Sequence, residues 1–335
     1  MEKVKALYPL SFTPVVNTTV WGRENWLVAD TALAATEARD GWLAENSLPD
    51  LMETYMERIT GDKVMSWYGR QFPVSVKRLE ITGRTALTVC PDDETSAQRY
   101  DALGKVKCWY VLETAENACL WLGFKKDTDA GELWLQCAES NPAGLLNKVT
   151  PHKGEAWVIA PGTVHAAQGV TLLEISEASD LDLIVSDWGR KSEERPSMLE
   201  EAMDMIDYKK LPVEALRPLR LSPDGAVSHL VTRDEFLVNR LGVSDPLHIY
   251  TEQYESFILY TCVSGEVSIQ WHAEGKTENV LLKTGEAILI PAEMPDFFIV
   301  PRERDSFLLE TYVSREDVDP YINPNVPSSI EGQDD

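Results

Sequence analysis

Apolar positions along the chain cluster in short runs separated by Gly, Pro, Asn and Asp, which predicts many short strands. The runs cover residues 74–79, 86–89, 108–113, 119–124, 156–159 and 170–175 in the first part of the chain. A second set covers 256–263, 267–271, 287–290 and 306–313. Only two stretches carry helical spacing. In the first, Ser47 caps, Pro49 and Asp50 open the turn, Leu51, Tyr55 and Ile59 form a stripe, and Gly61 ends it. In the second, Leu199, Ala202, Met203 and Ile206 share one face of an acidic segment that Ser197 could cap. Strands without interleaved helices point to sandwiches or barrels and away from βαβ units.

One run is echoed within the chain. Gly154-Glu155-Ala156-Trp157-Val158-Ile159 matches Gly285-Glu286-Ala287-Ile288-Leu289-Ile290, and a Pro/Ala pair follows each. A turn glycine, a strand and a proline turn are what a barrel needs to reverse at its rim. The echo and the strand sets on either side predict two similar halves joined near residues 197–208. The tail from Asn323 reads as loose.

Composition narrows the partners. With 55 acidic against 31 basic residues the net charge is −24, a surface that repels phosphate backbones and anionic lipid. Nucleic acid and membrane are therefore not expected partners, and no apolar run approaches the roughly 18 residues of a membrane span. The N-terminus lacks the pattern of a secretory signal. Apolar residues make up 44% of the chain and include its ten tryptophans, so each half can build a core. Cys90, Cys108, Cys119, Cys137 and Cys262 are odd in number and show no CxxC spacing, which predicts reduced, buried thiols and a cytoplasmic setting.

The most specific chemical feature is Gly154 through Pro161-Gly162-Thr163-Val164-His165, where a turn glycine starts a strand and a histidine opens the next. This spacing resembles the second conserved motif of cupins, in which the histidine points into the barrel as a metal ligand. Further motifs follow one another in order: Trp21-Gly22, the helix at 47–60, Phe72-Pro73-Val74-Ser75-Val76-Lys77 and Leu87-Thr88-Val89-Cys90-Pro91-Asp92-Asp93-Glu94. They continue with Gly104-Lys105-Val106-Lys107, Leu122-Gly123-Phe124 and Glu174-Ile175-Ser176-Glu177. Together they resemble the type I phosphomannose isomerases, from about residue 8 to about residue 210 and more weakly beyond.

The resemblance implies an all-β-dominated chain of two cupin barrels (double-stranded β-helix, jelly-roll type) with a small helical element. The implied division is a first barrel at 1–190, a helical connector at 191–215 and a second barrel at 216–335 without a metal motif. It also implies zinc in the first barrel and interconversion of mannose 6-phosphate and fructose 6-phosphate, the metal polarising oxygens while a proton moves between neighbouring carbons.

The family's zinc ligands are a glutamine, a histidine, a glutamate and a second histidine. Of these only the last is present, as His165. Thr88, Cys90 and Lys107 stand at the other three positions. The family's arginine near the reacting carbons falls on Ile184, and its Glu-Ser-Trp-Glu run falls on Asp40-Gly41-Trp42-Leu43. Lys105 matches a family lysine at the site, so it is the catalytic candidate; a solvated lysine at a strand end is its plainer reading. Zinc needs about three or four N, S or O donors. Cys90 and His165 qualify, but an ammonium at Lys107 opposes a dication. At about 4 Å and an effective dielectric near 20, each unit charge pair amounts to roughly 4 kcal/mol. No cofactor is expected, and zinc only where the family activity is retained.

Asp92, Asp93 and Glu94 read as a turn, because three adjacent carboxylates cannot all face one pocket. His152, His229, His248 and His272 lack ligand spacing, and Asp296 stands where the second half would need its counterpart of His165. Arg78 and Arg84 receive no role. Three functions stay open: a non-catalytic protein that binds a sugar or sugar phosphate, an aldose–ketose isomerase with a changed, metal-poor site, and an interaction protein whose pocket is packed shut.

Overall fold

A computed structural model describes residues 5–190, 196–216, 227–315 and 320–321. The chain is mostly β, with its strands in curled sheets of nine, seven and four strands among the described residues. The nine-stranded sheet belongs to the first half. Its central strand, His165–Glu177, pairs with Val74–Arg84 and Leu87–Val89 along one edge and with Lys107–Phe124 along the other. The sheet curls, and its inner face closes around the side chains it encloses.

Most of the expected strands are present. The runs at 108–113 and 119–124 are instead parts of one strand, Lys107–Phe124, whose register against His165–Glu177 shifts at Gly169. Gly169 has φ +62°, and a Cβ there would lie 2.6 Å from the Asn117 side chain, so the irregularity needs glycine. Gly154 (φ +86°) and Gly285 (φ +87°) adopt almost the same turn, which extends the sequence echo to the backbone.

The first expected helix is Leu48–Thr60, with Ser47 Oγ accepting from Asp50 N at 3.3 Å. The second is shorter than its stripe suggests: one turn of α-helix at Leu199–Ala202, then a 3₁₀ turn at Met203–Met205, with Ala202 and Ile206 buried. The acidic run after Pro91 is more than a turn. Asp92 caps a helix, Asp93–Tyr100, by accepting from Thr95 N at 2.7 Å, and Asp93 and Glu94 fill its first turn, where the helix dipole favours negative charge. The tail from Asn323 lies outside the described residues.

The two halves are stitched together. Leu10–Thr13 adds to the seven-stranded sheet, with Leu10 opposite Leu289. One hydrophobic cluster holds Phe72, Val74 and Cys108 together with Phe257, Leu259 and Leu289, and the Phe72 and Phe257 rings sit 4.5 Å apart. Among the described residues no helix is long and apolar enough to cross a membrane.

Candidate functional site

The wrapped sheet directs charged side chains inward. Lys107 and Trp109 lie two residues apart on one strand, so they face the same side. Glu174 on the central strand stands opposite Trp109 and, on its other edge, opposite Lys77. His165 begins that strand, opposite Thr88. Asp182 comes from the link that follows it. These side chains line a cavity of about 70 Å³, together with Trp21, Glu24 and Ala86.

Asp182 is the hub. Its Oδ1 accepts from Lys107 Nζ in a short contact and from Cys90 Sγ at 3.3 Å; its Oδ2 accepts from Lys105 Nζ at 2.6 Å. Lys105 also donates to the Ser179 carbonyl at 2.6 Å. On the opposite side, Trp109 Nε1 donates to Glu174 Oε2 at 2.7 Å. Lys77 Nζ is 3.3 Å from Glu174 Oε1 and 3.7 Å from the centre of the Trp26 ring, and Lys107 Nζ is 3.7 Å from Glu174 Oε2.

The protonation of His165 follows from its partners. Nδ1 lies 2.9 Å from the Thr163 carbonyl, which can only accept, so Nδ1 carries the hydrogen. Nε2 is then a lone-pair acceptor for Lys107 Nζ at 3.1 Å and Thr88 Oγ1 at 3.2 Å. Burial and the adjacent Lys107 ammonium push its pKa down to about 4, so the ring is neutral at physiological pH.

Burial opposes charge on every group here, and the ion pairs overcome it for most of them. Asp182 is held well below the usual carboxylate range by Lys105 and Lys107. Glu174 falls to about 2 because Lys107, Lys77 and Lys105 surround it. Lys107 and Lys105 are raised above an ordinary lysine, chiefly by Asp182. Lys77 moves the other way, since burial and the Lys105 charge outweigh its carboxylates. Burial, with Asp182 nearby, drives the Cys90 thiol up to about 12, so it stays protonated. Lys77, Lys105 and Lys107 stand among Glu24, Glu174 and Asp182, three basic side chains against three acidic ones.

The donor atoms of Cys90, His165 and Asp182 lie within 4.8 Å of one another and are of types that hold zinc. Their arrangement does not fit a dication. The His165 lone pair and Asp182 Oδ1 are already engaged by the Lys107 ammonium, and the Cys90 thiol keeps its proton.

The structure brings Thr88, Lys107 and His165 together in the lining of the cavity, whereas Cys90, expected there too, bonds to Asp182 from outside that lining. Lys105 is 1% exposed and bound to Asp182 and Ser179, so it is not a solvated strand-end lysine. It stands behind Asp182, outside the residues lining the cavity. Ile184 is buried opposite Thr88 in the Leu183–Ser186 strand and is likewise not in the lining. Asp182, Glu174, Lys77 and Trp109 were not expected. The available signal was polarity, because charged residues inside otherwise apolar strands must find partners when buried. Among the other histidines, His152 is 71% exposed, while His248 Nε2 pairs with Asp296 Oδ2 at 2.5 Å.

No protein-family model matches the chain. Mannose-6-phosphate isomerase ManA of Bacillus subtilis is 24% identical over 328 residues, covering 91% of this chain and 96% of that protein. The mannose-6-phosphate isomerase of Streptococcus mutans is 27% identical over 220 residues, 63% of this chain and 68% of that one. Among solved structures, the mannose 6-phosphate isomerase of Bacillus subtilis superposes with a TM-score of 0.77 at 21% identity, over 92% of this chain and 100% of that one. The chain shares the fold of these isomerases and is similar to them over most of its length. A point variant of the phosphomannose isomerase of Salmonella typhimurium shares the fold, with a TM-score of 0.71 at 16% identity over 91% of this chain and 99% of that one. In this fold an ammonium, that of Lys107, stands beside His165.

Proposed function

We propose that this chain is a mannose-6-phosphate isomerase-like protein that has exchanged its divalent ion for a tethered cation and binds a sugar or sugar phosphate without isomerising it. On this reading it is built of two cupin-type barrels, at 1–190 and 216–335, with a helical connector at 191–215. The observation that carries the proposal is the position of Lys107 Nζ, bonded to Asp182 Oδ1 and to the His165 lone pair. A lysine there supplies positive charge but no open coordination position, and a Lewis acid needs one. Lys105 holds Asp182, Trp109 orients Glu174, and the cluster is left without surplus charge. A neutral sugar ring at the mouth of the cavity suits that balance better than its phosphate ester does. The five unpaired cysteines fit a cytoplasmic setting.

A second reading has an observation of its own. The cavity, at about 70 Å³, is several-fold smaller than the roughly 300–1,000 Å³ of ordinary ligand pockets, which suits a pocket packed shut. Thermal shift with mannose, mannose 6-phosphate and fructose 6-phosphate separates the two. A bound sugar raises the melting temperature, and a closed pocket gives no change. A coupled assay with mannose 6-phosphate, with and without zinc, should show no turnover; zinc-dependent turnover would refute both.

A further inference from the structure

The two halves repeat one strand order. In the first, Val74–Arg84, His165–Glu177, Lys107–Phe124 and Ala156–Ile159 are neighbours in that sequence. In the second, Leu237–Val243, Ser306–Tyr312, Ile258–Ser264 and Ala287–Ile290 take the same places. Each central strand carries a buried glutamate at the same crossing. Glu174 stands opposite Lys77 and Trp109, and Glu310 opposite Asn239 and Tyr260. The register continues outward: Trp109 pairs with Trp157 and Tyr260 with Ile288, which are equivalent positions of the two Gly-Glu-Ala runs.

The two carboxylates are satisfied differently. Lysines surround Glu174, whereas neutral donors surround Glu310. Asn239 Nδ2 donates to Oε2 at 2.9 Å. Oε1 accepts from Tyr254 at 2.9 Å, Tyr260 at 2.8 Å and Tyr321 at 2.6 Å. Asn239 and Tyr260 belong to the sheet, and Tyr254 to the turn before it. Tyr321 comes from beyond the last strand, packs against the apolar cluster of this half, and makes the shortest of the four bonds. Its hydroxyl is also 3.2 Å from that of Tyr254.

We propose that the interior of the second half is a recognition site for a hydroxyl-bearing ring, with Glu310 as acceptor and Tyr321 as its resident, intramolecular ligand. Asn239, Tyr254 and Tyr260 fix the carboxylate, and the apolar cluster receives the ring. The ligand class is a phenol or a similar flat, neutral ring with one hydroxyl donor. An anion would meet no cation among the neutral donors around Glu310, and an apolar ring leaves a hydrogen bond of the buried carboxyl group unmade.

Thermal unfolding of the full chain tests this with p-cresol, the tyrosine side chain as a free molecule, against toluene, which lacks the hydroxyl. Tyr321→Phe should lower the melting temperature by about 3 °C or more and leave it insensitive to either compound. Tyr321→Gly should fall further and be raised by millimolar p-cresol but not by toluene, while the wild type responds to neither. An unchanged melting temperature for Tyr321→Phe overturns the proposal, as does an equal response of Tyr321→Gly to the two compounds. If Tyr321→Gly is recovered only unfolded, p-cresol in the refolding buffer should restore the folded fraction, and equal yields with and without it contradict the proposal.

Discussion

Lys107 Nζ lies 3.1 Å from His165 Nε2, the ring nitrogen that carries no proton. The pair brings the lone pair of a ligand-type histidine onto an ammonium, with Asp182 accepting from the same nitrogen. Replacing Lys107 by Met removes the cation and leaves Asp182 and Glu174 with fewer partners. Breaking a buried ion pair on one side costs about 3–5 kcal/mol, so urea denaturation should show a loss of that order. A change within about 0.5 kcal/mol would mean that the ammonium is not held where the distances put it.

Asp182→Asn should be at least as damaging. The carboxylate accepts from Lys105, Lys107 and Cys90, and the amide leaves two buried ammoniums short of a counter-charge. The same denaturation series should place its loss near about 3–5 kcal/mol. A combined Lys107→Met, Asp182→Asn variant should lose less than the sum of the single changes, because the partners are coupled.

The frame of this site was legible in the sequence and its wiring was not. Gly154 to His165 announces a turn, a strand and an inward histidine, and the motif order places Thr88, Cys90 and Lys107 near it. Lys77, Trp109 and Glu174 meet only through the registers of three strands, and a slip of one residue would turn each to the other face. Asp182 sits in a link, where no periodicity reports direction. The acidic run at 92–94 shows the reverse case: that three adjacent carboxylates cannot share one pocket argues only against a shared site, while their cap-and-first-turn chemistry was readable as a helix start.

Stability should fall as pH rises through neutrality because of Glu177. Burial, with Asp93 nearby, raises its pKa to about 8. A carboxyl raised in the folded state gives its full contribution below the unfolded value near 4.5 and loses it as pH climbs through about 8. Glu177→Gln should flatten that part of the stability profile, by an amount on the order of a few kcal/mol. A wild-type profile already flat between those pH values would contradict the assignment.

The shared core predicts that the halves do not separate. Phe72 packs on Phe257, and Leu10–Thr13 is a strand of the second sheet. A fragment ending at residue 215 should expose that face, bind a hydrophobic dye and lack a cooperative thermal transition. A fragment that unfolds sharply with the wild-type near-ultraviolet spectrum would show that the first half is independent.

Zinc content decides whether Lys107 has taken the ion's place. The full chain, produced with zinc in the medium and dialysed without chelator, should carry less than about 0.1 zinc per chain by elemental analysis, while Lys107→Glu with Cys90→His should approach about one. A wild-type chain that retains about one zinc, lost on Cys90→Ala or His165→Ala, would show that the ammonium yields to the metal.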